Sequence, residues 1–289
     1  MLWRCILGLF AALLLAGCGT GRESSPATPA LWEVRQGDEA RGWLFGTIHT
    51  LPRNTAWRTP VFEDAFGRSE HLVLEIGNPG NAKALHAIFT ELSRSSGHPP
   101  LAQRVNEDHR PALARLSAKA GLKDTETTNL ESWGAALVLA QTVRGAGRGD
   151  GVDQALARMA GDRTVIELEG ARGQLGLFDA LSEAQQRALL TAVLDGADSA
   201  RDDAKRLFEL WRTGAMDELA TETSLGILAD PQLRKALLVD RNRRWAGQVD
   251  GLLREKTPVF IAAGAAHMAG PEGLPALLAQ RGWTVVRIQ

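Results

Sequence analysis

The chain has 289 residues, 44% hydrophobic and 23% charged, with a formal net charge of −1. That composition suits a globular protein with a substantial core, built as one large domain or two small ones. The charge is not biased toward basic residues, so nothing points to nucleic acid.

The first eighteen residues, MLWRCILGLFAALLLAGC, are read apart from the fold. Arg4 precedes an apolar run from Cys5 to Leu15, and Ala16-Gly17 precede Cys18. The run is too short to span a membrane as a mature helix, and residues 1–17 read as a secretory signal. Leu15-Ala16-Gly17-Cys18 resembles a bacterial lipobox, in which Cys18 becomes the lipidated first residue. Such a lipid would hold the domain at a membrane of the bacterial cell envelope, on its periplasmic face, without spanning it. Removing the leader leaves Cys18 as the single cysteine, which excludes an internal disulfide. With Cys18 lipidated, a cysteine nucleophile is excluded as well. Residues 18–30 are small, polar and proline-containing, and read as a flexible tether.

Residues 31–289 then form the domain. LWEV (31–34) and GWLFGTIH (42–49) flank the polar QGDEARG and predict a β-hairpin. Pro60 to Phe66 suggests a short helix, and HLVLEI (71–76) a strand. From about 81 to 254 the pattern is helical, with helices expected near 81–95, 110–120, 131–144, 152–160, 173–180, 182–195, 199–213 and 230–254. RTVIELE (163–169) interrupts them as a strand. The chain closes with a strand at 257–263, a helix at 272–281 and a strand at 283–288. The expected fold is mixed α/β: a central sheet of N- and C-terminal strands with a long helical insertion.

Chemistry concentrates where strands end. In LFGTIHTLP (44–52) an apolar run meets Gly46, and His49 follows. VFIAAGAAHMAG (259–270) repeats the pattern with Gly264 and His267. Glu75 stands one residue before the end of HLVLEI, ahead of the breakers Gly77 to Gly80. Open α/β sheets bind ligands beyond the carboxyl ends of their strands. If these strands are parallel neighbours, His49, Glu75 and His267 converge on one edge. Two imidazoles and a carboxylate can hold a divalent metal with open positions for water and substrate. They can also work without metal, one histidine acting as general base tuned by the carboxylate. His71 opens its strand and could support the site from behind or lie at the surface; His86, His98 and His109 have no partners in the pattern and read as solvated. Arg148-Gly149-Asp150 reads as a chance triplet in a glycine-rich loop.

These motifs, in their order and spacing, resemble the TraB/GumN family, also called TraB/PrgY/GumN. The resemblance runs through LFGTIHTLP, LVLEIGNP, GVDQALARMAGDRTVIELEGARGQLGLFDALSEAQQRAL, DRNRRWA and the C-terminal VFIAAGAAHMAGPEGLPALLAQRGWTVVRI. It implies a fold like that of erythromycin esterases and Tiki proteins. The Tiki proteins are membrane-associated metal-dependent proteases, so the resemblance implies a metal-dependent hydrolase acting on peptides or other small envelope substrates. His49, His267 and Glu75 would be the metal ligands and catalytic groups, with manganese or cobalt expected and zinc the further candidate. The esterases imply hydrolysis without metal, and a haem-binding lipoprotein group implies binding without catalysis, of metal, haem or glycan. The chain has no tyrosine, which removes one haem ligand. The family's Arg-Asn pair falls on Arg241 and Asn242, as oxyanion stabiliser and substrate- or water-binding amide, or else as a helix-surface cation and a packing amide. Glu169, at the end of 163–169, could add a carboxylate or pair with Arg172. Asp153 could join the site or serve as a helix N-terminal acid.

Overall fold

The computed structural model describes residues 26–52, 54–144 and 151–289. The leader, Cys18 and Arg148-Gly149-Asp150 lie outside the described residues. Strand β1 (Leu31–Gln36) and strand β2 (Glu39–Thr47) pair antiparallel. Their connection is shorter than QGDEARG suggested, because pairing already begins at Gln36 and Glu39. Gly37 takes φ 62°, the left-handed conformation that glycine enters without steric cost. At its other end β2 stops at Thr47, so His49 lies in the loop beyond the strand.

Helix α1 (Pro60–Gly67) starts with Pro60 in its first turn, and the Thr59 side chain accepts from the Phe62 N–H. Strand β3 (His71–Leu74) follows. The middle contains α2 (Ala82–Leu92), α3 (Arg110–Ala120), α4 (Asp124–Thr127), α5 (Ser132–Arg144) and α6 (Val152–Arg158). Strand β4 (Thr164–Glu167) divides these from α7 (Gly170–Asp179), α8 (Glu183–Asp195), α9 (Ala200–Thr213), α10 (Met216–Glu222), α11 (Pro231–Arg234) and α12 (Asp240–Arg254). Strand β5 (Val259–Gly264), helix α13 (Leu274–Gln280) and strand β6 (Thr284–Arg287) complete the chain.

The six strands form one mixed sheet in the order β4-β3-β5-β2-β1-β6. β2, β5, β3 and β4 run parallel, and β1 is antiparallel to both β2 and β6. The fold is therefore mixed α/β, with N- and C-terminal strands alternating at the centre. The insertion is not purely helical: β4 leaves it to pair with β3 as an edge strand. All six residues of β5 are buried, as expected of a central parallel strand covered on both faces.

Alternation along the strands sends side chains into two cores. On one face Trp43, Phe45, Leu72, Leu74 and Phe260 pack with Phe62 and Phe66 of α1, Leu156 of α6 and Trp211 of α9. On the other, Leu44, Val73, Val259 and Ile261 pack with Trp245, Val249 and Leu253 of α12 and Leu274 and Leu278 of α13. A third core, with Phe89, Trp133, Phe178 and Leu190, joins α2, α3, α5, α7 and α8 away from the sheet.

The start of the domain also differs from expectation. Residues 26–30, placed by composition in the tether, pack on the fold. Ala27 is fully buried, its N–H donates to the Ala56 carbonyl, and the Thr28 N–H donates to the Arg212 carbonyl. Alanine and proline satisfy a tether's composition, but they also fit a closely packed chain that donates few hydrogen bonds of its own.

Candidate functional site

Three parallel neighbours, β2, β5 and β3, place their carboxyl ends side by side. Thr47 pairs with Gly264, and Leu74 pairs with Ala262. His49, Glu75 and His267 each follow one of these ends, so the topology brings all three to one edge. Glu169 follows β4 at the same edge. It stands just before α7 and not at a strand end, because pairing with β3 stops at Glu167.

Close backbone packing builds this edge. A Cβ on Gly46 would lie 3.1 Å from Ala265 Cα and Cβ, so the loop that carries His267 sits directly on β2. Ala265–Met268 forms a 3-10 turn that buries His267 completely. A Cβ on Gly151 would lie 2.5 Å from the backbone of His49. The adjacent Val152 N–H donates to the Ile48 carbonyl across 2.8 Å. This contact brings Asp153, in the first turn of α6, to His49: Asp153 Oδ2 lies 3.1 Å from His49 Nδ1. Asp153 is thus a partner of the histidine, and more than a helix N-terminal acid.

Glu75 is almost entirely buried. Its Oε1 accepts from the Gly264 N–H at 2.7 Å, and its Oε2 accepts from Gln174 Nε2 and Arg241 Nη2, both at 2.9 Å. Burial alone would raise its pKa. Arg241, the two histidines when they are protonated, and the Gly264 N–H outweigh burial and lower it from 4.5 to about 2. Glu75 is a fixed carboxylate at neutral pH.

Arg241 is the hub of the site. It is fully buried, which removes the reading as a helix-surface cation. Its Nε donates to both Glu169 oxygens at 3.1 Å, and Nη2 donates to Glu169 and to Glu75 at 2.9 Å. Nη1 donates to the Leu237 carbonyl at 3.2 Å and to His267 Nε2 at 3.1 Å. A guanidinium has five N–H groups, and these contacts engage all five. None remains for an oxyanion, so Arg241 organises the site from beneath. Glu169 pairs with Arg241 and, at 3.4 Å, with the more exposed Arg244. It does not pair with Arg172, which instead reaches Glu91.

These contacts determine the state of His267. A guanidinium only donates, so Nε2 must carry the lone pair and Nδ1 the proton. Nδ1–H then donates to Asn242 Oδ1. Asn242 is oriented by its own amide group, which donates to the Glu272 carbonyl at 2.6 Å. It is a buried tautomer lock, not an exposed substrate-binding amide. Burial and Arg241 push the His267 pKa down, and His49 adds to this; Glu75 opposes them, leaving it at about 3. The Trp245 ring lies 4.4 Å from the His267 ring, and the Arg241 guanidinium lies 4.5 Å from the same indole.

A π-helical turn, Lys235–Val239, precedes α12. Such turns add one residue to a helical circuit and recur at functional sites. Here the turn lies within the segment expected as one regular helix over 230–254, directly before Arg241 and Asn242.

Other histidines stay away from this edge. His71 opens β3 at the opposite end of the sheet. His98 contacts Ser95 at 2.6 Å and His109 contacts Asp195 at 2.9 Å, so neither is merely solvated.

Residues 30–287 match the TraB/PrgY/gumN family. The chain belongs to that family. No curated protein and no solved structure matches it. Two residues of the site had no assigned role in the sequence: Gln174, which binds Glu75, and Trp245, which covers Arg241 and His267. Gln174 lies in a segment that resembles the family, and Trp245 stands four residues after Arg241, one helical turn along the same face.

The metal that the resemblance implies can be tested against these donors. A ligating histidine must direct an electron pair at the ion. In His267, Nε2 faces an arginine N–H and Nδ1 is protonated toward Asn242. Both Glu75 oxygens already accept hydrogen bonds. Among the described residues, no group of three or more histidine, cysteine, aspartate or glutamate side chains is arranged to hold a metal ion. The donor set as arranged fits a guanidinium and does not fit a metal.

Proposed function

We propose that this family member is a hydrolase of the bacterial cell envelope in which His49, oriented by Asp153, is the general base. The observation that carries this reading is the 3.1 Å approach of Asp153 Oδ2 to His49 Nδ1. A carboxylate this close to Nδ1 stabilises the imidazolium that forms when Nε2 accepts a proton. Both side chains retain some exposure, 13% and 16%, whereas His267 has none. His49 is therefore the histidine that a water and a substrate can approach. In this scheme water attacks an acyl carbon, its proton passes to His49 Nε2, and His49 returns the proton to the leaving group. Esters and peptides are the substrate classes that this chemistry suits.

A second reading keeps the metal-dependent peptidase of the proteins that the sequence resembles. A histidine whose Nδ1 faces a carboxylate is also the arrangement that raises ligand basicity at Nε2, which favours that reading at His49. Envelope attachment through a lipid on Cys18 belongs to the same proposal. The mass of the mature N-terminus tests it, and an unmodified Cys18 would remove the anchor. No described helix is long and apolar enough to cross a membrane.

The test of function is turnover of ester and peptide panels by residues 19–289, with and without chelator, alongside His49→Ala and Asp153→Asn. Chelator-resistant turnover that disappears in His49→Ala supports the general-base reading. Turnover that stops with chelator and returns with manganese, cobalt or zinc supports the second. Full activity in His49→Ala would sink both.

A further inference from the structure

We propose that Arg241 is the resident cation of this centre: its guanidinium occupies the position that a divalent metal bridging Glu75 and His267 would have to take. The inference rests on the metal-free reading and gives it a cause. A metal bridging these residues needs an electron pair from His267 Nε2 and a carboxylate oxygen of Glu75, each within about 2.0–2.2 Å. In this chain one arginine meets both atoms, at 3.1 Å and 2.9 Å. Glu169, the further carboxylate at this edge, is taken by the same side chain through Nε and Nη2.

The guanidinium cannot give up its charge, because arginine stays protonated in proteins. It is also not free to swing away. It is fully buried, anchored to the Leu237 carbonyl and packed over Trp245. A divalent ion beside it would face a like charge in a dry setting, where repulsion is screened least. Its planar fork reaches Glu75, Glu169 and His267 together, which a single lysine ammonium could not match in geometry. Arg244, beside Glu169 at the rim, supplies the second positive charge, so the two carboxylates are balanced without a metal. Arg241 is in this sense a positioning residue that organises the catalytic edge from below.

The experiment exposes wild type, His267→Ala, Arg241→Ala and the Arg241→Ala/His267→Ala double variant to manganese, cobalt or zinc. Excess metal is removed, and metal content and Tm are measured. The expected result is no retained metal and no Tm shift in wild type. Arg241→Ala, with Glu75, Glu169 and His267 uncovered, should retain near-stoichiometric metal and gain Tm, and the double variant should lose both effects. Free guanidinium at low concentration should also raise the Tm of Arg241→Ala. Near-stoichiometric metal in wild type that disappears in His267→Ala would overturn the proposal. If Arg241→Ala does not fold, wild type still decides it by NMR. Cobalt that leaves the His267 ring nitrogens unshifted supports Arg241 as the cation, and cobalt that shifts or broadens them refutes it. Turnover is a separate readout: a wild type that neither binds metal nor hydrolyses any substrate would sink the hydrolase reading and leave Arg241 as the cation.

Discussion

Arg241 donates from Nη1 to His267 Nε2 across 3.1 Å, and a histidine that accepts from an arginine must be neutral. The site thus has two histidines of different kinds. His267 is sealed in as an uncharged acceptor, and His49 is partly open beside a carboxylate. Ring-nitrogen NMR checks the first directly: His267 should remain the Nδ1–H tautomer across neutral pH. A titration near 6.5 would contradict the buried network.

The same burial makes stability depend on pH. His267 is lowered from 6.5 to about 3 and Glu75 from 4.5 to about 2. In each case the unfolded chain takes up the proton first as pH falls, so acid favours unfolding. The His267 contribution is complete above about 6.5 and is lost as pH falls toward about 3. The Glu75 contribution is complete above about 4.5 and is lost toward about 2. Denaturant unfolding from pH 8 to pH 4 should show decline below about 6.5 in wild type and a flatter profile in His267→Gln.

Removing the hub should cost more than removing an exposed ion pair of the surface. Arg241→Met leaves Glu75 and Glu169, whose side chains are only 9% and 7% exposed, without their shared cation. A broken buried pair of this kind costs about 3–5 kcal/mol. Glu91→Ala, which removes the exposed partner of Arg172, should change stability by less than about 1 kcal/mol. Equal losses in the two variants would show that the cluster contributes nothing special.

Two glycines with opposite surroundings give a paired test. Gly151→Ala would drive a methyl to 2.5 Å from the His49 backbone, displacing the contact that aligns Asp153. Overpacking of that kind costs about 1–3 kcal/mol, and turnover should fall with it. Gly251→Ala in α12 meets nothing within 4 Å and should stabilise by about 0.5–1 kcal/mol, the helix preference of alanine over glycine. A tolerated Gly151→Ala with full activity would break the proposed link between α6 and His49.

Under the general-base reading, Asp153→Asn keeps the shape and removes the charge that holds His49. General-base assistance is worth about 10²–10⁴ in rate, so kcat should fall by a large part of that range with KM little changed. A change in KM alone would assign Asp153 to binding instead.

Local pattern was enough to find the strands, the two Gly-x-x-His turns and the acidic end at Glu75, because burial period and glycine placement are recorded residue by residue. It also identified the mixed α/β class, since apolar strands stood at both ends of a helical middle. Which groups meet there depends on contacts between distant segments. Asp153 reaches His49 only because Gly151 permits backbone contact across a hundred residues of chain. Glu169 turned to Arg241 and not to the nearby Arg172, because the turn before α7 directs it inward. Arg241 and Asn242 sit on a polar run, DRNRRWA, that reads as exposed helix, yet both are fully buried. A charged side chain buries only where partners from other elements compensate it. Those partners, Glu75, Glu169 and His267, come from three separate segments, so their meeting around one guanidinium belongs to the tertiary structure.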